Sequence, residues 1–206
     1  MLCARDLCIE RNHRRLFEDL DVDLDPGRAL QIQGANGTGK STLLRMLCGL
    51  TWPNEGAVYW KGTNIEHDSL QLRSELIYLG HANGIKLELN VRENLDFCRT
   101  LSFAPHPTPF DVIAQKLSLE GLQDVLVRHL SAGQRRRVAL ARLLTSKARL
   151  WILDEPFTAL DKDGTAAVEA MLDSHLDEGG LIVFSSHQPI RLSRQSVATL
   201  SLDHFE

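Results

Sequence analysis

The sequence predicts an α/β protein with an N-terminal antiparallel β subdomain, a mostly parallel core sheet and an inserted helical lobe. Three observations carry that prediction. Short strand-like runs crowd the first third of the chain, the apolar spacing turns helical directly after a glycine-rich loop, and two continuous apolar runs near the C-terminal end suit strands buried on both faces.

The strand-like runs are "LCARDLCIE", "RLFEDLDVDL", "ALQIQG" and "AVYWKG", with turns marked by Pro26-Gly27 and by the stretch from Pro53 to Gly56. From Lys40 to Leu50 the pattern "KSTLLRMLCGL" spaces its apolar residues for a helix and stops at Gly49. The run "LIYLG" reads as another strand, ending at His81. Residues Val91 to Leu130 read as helices interrupted by the proline-rich "APHPTP". "ARLWILDEP" and "GGLIVFSSH" are the two buried strands, with a helix from Asp163 to about Leu176 between them.

A chain of 206 residues, 43% hydrophobic, is long enough for one domain with a real core. The net charge of −4 argues against nucleic acid as a partner, because that role shows as a basic excess. Four cysteines without a C-x-x-C pair give no disulfide framework or zinc site and suit a reducing compartment. Arg5, Asp6 and Glu10 interrupt any secretion signal at the start, and no apolar run approaches the length of about 18 residues that a membrane span needs. A role at a membrane would have to come through partners.

"GANGTGKST", from Gly34 through Ala35, Asn36, Gly37, Thr38, Gly39, Lys40 and Ser41 to Thr42, fits the P-loop pattern G-x-x-x-x-G-K-S and lies between a predicted strand and a predicted helix. Backbone N–H groups and the helix N-terminus there make an anion cradle. Lys40 supplies a charge for β- and γ-phosphates, and Ser41 a hydroxyl for Mg²⁺. The chain is thus expected to be a P-loop NTPase. "LWILDEP" ends a buried strand in two carboxylates: Asp154 is placed to hold Mg²⁺ through water, and Glu155 to act as general base. The plainer reading is that the acidic pair and Pro156 only begin a helix.

"HLSAGQRRRVALARLL", from His129, resembles the signature motif of ATP-binding cassette (ABC) ATPases, with Ala132 where a glycine is usual. Ser131, Ala132, Gly133 and Gln134 could form a second anion site or simply a helix cap. "FTALD" resembles the D-loop and "FSSHQ" the switch region of the same family. The resemblance implies a single ABC ATPase domain over residues 1–206, with a RecA-like core at 1–80 and 148–206 and a helical lobe at about 82–147. It further implies ATP and Mg²⁺ as cofactors, and a second copy of the chain paired head to tail. In that pair Ser131 to Gln134 of one copy close on the P-loop of the other, Asp161 lies at the seam and His187 touches the γ-phosphate. The basic run "QRRRVALAR" is expected to be a solvated helix face.

Two departures from the family pattern stand out. The loop between the first two strands carries Arg11, Asn12 and His13 in place of the aromatic residue that stacks on adenine. The strand that usually ends in glutamine ends in His81, whose imidazole offers one donor and one acceptor and brings sensitivity to pH. "GHANGIK" and "VRENL", together with "LSAGQ" and "LWILDEPFTALD", resemble the cytochrome c maturation ATPases, also called heme exporter ATP-binding subunits. That resemblance implies integral-membrane permease subunits as partners, a place at the cytoplasmic face of the bacterial inner membrane and a cycle linked to heme. The ATPase of another small-molecule ABC exporter is the alternative.

Overall fold

β1 (Leu2–Arg11) pairs antiparallel with β2 (Arg14–Leu24) on one side and with β4 (Glu55–Trp60) on the other, and β5 (Thr63–Asn64) extends the sheet to the order β2-β1-β4-β5. This computed structural model describes all residues except 12, 104, 188, 189, 191, 193–196 and 204–206. Alternation does the work in this sheet: Phe17, Leu20, Val22 and Leu24 of β2 are buried while intervening residues face outward.

The second sheet is wholly parallel, in the order β6 (Leu76–Leu79), β7 (Leu150–Asp154), β8 (Leu181–Ser185), β3 (Ala29–Gln33), β9 (Ala198–Ser201). β7 and β8 are buried at every position, as continuous apolar runs predict for strands covered on both faces. Their side chains divide by parity. Leu150, Ile152, Leu181 and Val183 join α1 (Lys40–Leu47) and the antiparallel sheet in one core, whereas Trp151, Leu153, Ile182 and Phe184 join α6 (Lys162–Asp177) and the intervening helices in another. Each such large side chain contributes roughly 1.5–3 kcal/mol when fully buried.

α2 (Leu70–Glu75) leads into β6; α3 (Val91–Leu101), α4 (Phe110–Leu117) and α5 (Ala132–Ala141) then fill the chain between β6 and β7. The proline-rich break separates α3 from α4 as expected. The expected helix does not continue to Leu130: Ser118 and Gly121 have φ of 51° and 73°, and only a 3-10 turn at Val127–His129 follows. α3 opens with a reciprocal cap, in which the Asn90 side chain accepts from the Glu93 N–H and the Glu93 carboxylate from the Asn90 N–H, both at 2.8 Å.

His175 of α6 stacks on Trp151 with ring centroids 3.7 Å apart and planes 6° from parallel. Burial pushes the imidazole down from 6.5 to about 4, against the pull of main-chain contacts at Arg149 and Leu181. Because the folded value is depressed, the unfolded chain takes up the proton first. The stability present above about pH 6.5 is therefore lost as pH falls towards 4. Urea unfolding at pH 7 and pH 4.5 should show the parent losing about 2 kcal/mol more than a His175→Phe variant, which keeps the stack without the titration. Equal losses in the two proteins would contradict this.

Candidate active site

Four strands deliver the site. β3 runs into the loop Gly34–Gly39, β6 into Gly80 and His81, β7 ends at Asp154, and β8 runs into Ser186 and His187. Since these strands are parallel, all four carboxyl ends emerge on one edge of the sheet, where open α/β sheets bind their ligands. They enclose a cleft of about 450 Å³. Asn36, Gly37, Gly39, Lys40, Ser41, Thr42, His81, Asp154, Glu155 and His187, all singled out from sequence, line it together with Leu16 and Thr158, which were not. Of the loop residues at 11–13, Arg11 and His13 are exposed, and Asn12 lies outside the described residues.

The P-loop wraps a helix start. Gly39 caps α1 with φ of 104°, a left-handed conformation that glycine adopts without a Cβ penalty. Lys40, 9% exposed, folds its ammonium back to donate to the Gly34 and Ala35 carbonyls at 2.7 and 2.9 Å. Thr38 Oγ1 donates to the Ala35 carbonyl at 3.0 Å, and the Ala35 N–H donates to the Asp203 carboxylate at 2.8 Å. Asp203 thus anchors the loop from the far end of the chain.

Asp154 is 3% exposed and accepts from Ser185 Oγ at 2.7 Å, while the same oxygen accepts from the Glu155 N–H at 2.9 Å. One serine hydroxyl therefore fixes both carboxylate-bearing residues. Glu155 has φ of 50°, a left-handed conformation rare outside glycine. Its Oε1 is buried and lies 3.4 Å from His187 Nε2, close enough for attraction but without hydrogen-bond alignment.

The sequence "SAGQRRR" divides its labour residue by residue. Ser131 and Gln134 cap α5 reciprocally, Gln134 N–H to Ser131 Oγ at 3.1 Å and Ser131 N–H to Gln134 Oε1 at 2.9 Å. Gly133 packs so closely on the Ala159 carbonyl that a Cβ would sit 2.8 Å from its oxygen. Ser131 to Gln134 and Asp161 do not line the cleft of their own chain. Asp161 caps α6 through the Gly164 N–H and pairs with Arg137 Nη2 at 2.5 Å; the cap first and the guanidinium second hold its carboxyl below the usual range.

The expectation of a solvated basic face fails here. Arg135 donates to the Val127 and Arg128 carbonyls, Arg137 to Asp161, and Arg136 is 4% exposed. Helical periodicity does not register main-chain acceptors brought in from distant segments.

From the cleft a polar route leads sideways. His81, Ser41 and Asp154 also line a neighbouring cavity with Arg45, Tyr78 and Arg142, and Tyr78, Gly84 and Arg142 in turn line a groove of about 510 Å³. Phe97, Leu101 and Phe103 border that groove, exposed to 42%, 66% and 73%.

The sequence profile described as "ABC transporter" matches residues 17–158. The chain belongs to the ABC transporter family, as an ABC-type ATPase. It is 44% identical over 202 residues to the cytochrome c biogenesis ATP-binding export protein CcmA 1 of Salmonella typhimurium, covering 98% of this chain and 97% of that one. Its identity to CcmA of Vibrio vulnificus is 46% over 190 residues, covering 91% and 92%. An ABC transporter ATP-binding protein of Pyrococcus furiosus superposes with a TM-score of 0.81 at 26% identity, covering 98% and 96% of the chains. A dimeric bacterial ABC transporter cassette shares the fold at a TM-score of 0.80 and 20% identity, with 98% and 95% coverage.

Proposed function

We propose that the chain is the ATP-hydrolysing, energy-coupling subunit of a membrane complex for cytochrome c biogenesis, its cycle linked to the export or delivery of heme. The observation that carries this reading is a complete P-loop and carboxylate cleft on a chain so similar, end to end, to cytochrome c biogenesis ATP-binding export proteins.

In this reading Gly34 to Thr42 cradle the phosphates through their main chain, and Lys40 leaves the Gly34 and Ala35 carbonyls for the β- and γ-phosphates, which are charged and therefore stronger acceptors. Ser41 and Asp154 line the same cleft and suit Mg²⁺, which takes few protein ligands and completes its shell with phosphate and water. When bound, the ion neutralises charge on the phosphates. Glu155 takes a proton from the water whose oxygen attacks the γ-phosphorus, the bond to the β-phosphate oxygen breaks, and ADP leaves with its electron pair. His187 stands beside Glu155, where it would contact the γ-phosphate, and His81 lines the cleft with Ser41 and Asp154, the residues that would hold the ion.

Ser131, Ala132, Gly133 and Gln134 serve the ATP of a second copy in a head-to-tail pair, with Asp161 at the seam, which fits their place outside their own cleft. The groove edged by Phe97, Leu101 and Phe103 receives a segment of an integral-membrane permease subunit and holds the chain at the cytoplasmic face of the inner membrane. Among the described residues no helix is long and apolar enough to cross a membrane itself.

Affinity purification from native membranes should recover permease subunits of cytochrome c maturation with heme, and cells carrying Glu155→Gln should lose covalently bound c-type heme. Recovery of a different exporter's permease, with c-type cytochromes intact, would overturn the heme assignment and leave the ATPase standing.

His81 gives a further expected result. It lines the cleft with Ser41 and Asp154, and its imidazole offers a donor and an acceptor that an alanine lacks and a glutamine supplies. In the assembled complex His81→Ala should therefore hydrolyse ATP more slowly than the parent, whereas His81→Gln should keep most of the rate. Equal rates for the parent and His81→Ala would remove His81 from the site.

A further inference from the structure

Arg136 lies one turn into α5, five residues beyond the Ser131 cap, and reaches out of its helix into two other segments. Its Nε donates to the Pro156 carbonyl at 3.2 Å, and its Nη2 to the Asp154 and Glu155 carbonyls at 3.0 and 2.7 Å. Nη1 donates to Asn83 Oδ1 at 3.0 Å, in the loop that follows His81. Successive carbonyls of an extended strand point to opposite sides. Three in a row can meet one guanidinium only if the chain turns between them, and the turn is the left-handed Glu155. Nothing but a planar fork with several diverging donors satisfies that set; a lysine ammonium is a compact point charge.

We infer that Arg136 is a positioning residue for hydrolysis: it holds the turn that aims the Glu155 carboxylate and ties that turn to the loop carrying His81 and to the helix begun by Ser131. The inference rests on the assignment of Glu155 as general base. A guanidinium in this place couples the orientation of the base to two other segments, the helix begun by Ser131 and the loop that follows His81.

The test is a double-mutant cycle on the purified full-length chain, with kcat and KM for Mg-ATP measured for Arg136→Lys and Asn83→Ala, each alone and combined with Glu155→Gln. Arg136→Lys should lower kcat about 10- to 100-fold and change KM by less than about threefold, as a misaimed base predicts. In the Glu155→Gln background the same change should cost less than about twofold, because no base is left to aim. Asn83→Ala, which spares the three carbonyl bonds, should cost about threefold, again only where Glu155 is present.

An equal loss with and without Glu155, or a loss confined to KM, would overturn the inference while leaving Glu155 as the base. If Arg136→Lys fails to fold, the Asn83→Ala pair decides by the same criterion. A Glu155→Gln chain that hydrolyses ATP at the parental rate would overturn both assignments.

Discussion

Glu155→Gln should lower the rate of hydrolysis by about 10²- to 10⁴-fold while leaving Mg-ATP binding intact. The carboxamide has the shape of the carboxylate, and the contacts that set the turn are made by the main chain: the Glu155 N–H to Ser185 Oγ and the carbonyl to Arg136. On the proposed assignment, what disappears is the ability to accept a proton from the attacking water. A site that binds but does not hydrolyse should accumulate in its closed form, so light scattering at saturating Mg-ATP should report twice the monomer mass. Monomers alone, with or without the membrane partner, would count against a paired closed state, and parental turnover would remove Glu155 from the chemistry.

Lys40→Ala should act on binding itself. Lys40 is nearly buried and its ammonium holds the Gly34 and Ala35 carbonyls, so on the proposed assignment its removal takes away a charge for the phosphates and a brace of the loop together. Charge-assisted hydrogen bonds are the strong ones, which puts the loss of Mg-ATP affinity on the order of 10²-fold. Calorimetric titration of the variant against the parent measures it directly. Unchanged affinity would mean that this loop is not the phosphate cradle.

The place of these two residues in one cleft is legible in the sequence because their motifs are local. Gly34 to Thr42 is a continuous spacing between a strand and a helix, and Asp154 and Glu155 close an apolar run whose burial on both faces the residues themselves announce. The supporting contacts were not legible. Ser185 joins Asp154 to the Glu155 amide across 31 and 30 positions, and Asp203 reaches the Ala35 amide across 168. Sheet order decides such pairs, and no local spacing encodes it. Arg136 was hidden for a related reason: its acceptors are main-chain carbonyls, which carry no residue identity, so a basic helix in sequence became a buried clamp in the fold. The stretch after Leu117 reads as helix in the sequence because its apolar residues keep a helical rhythm, yet Ser118 and Gly121 turn the backbone left-handed.

The composite site is the central claim, and complementation between two defective chains tests it most directly. Lys40→Ala and Ser131→Arg should each hydrolyse ATP poorly alone, the first for want of phosphate binding and the second because a bulky cation at the start of α5 blocks closure. In a mixed pair, the P-loop of the Ser131→Arg chain meets the intact signature of the Lys40→Ala chain, so one of the two sites is whole. Mixing the two proteins in equal amounts should therefore give a hydrolysis rate well above the sum of the separate rates. A rate equal to that sum, with Ser131→Arg alone already working at the parental level, would show that each chain completes its own site and would contradict the account.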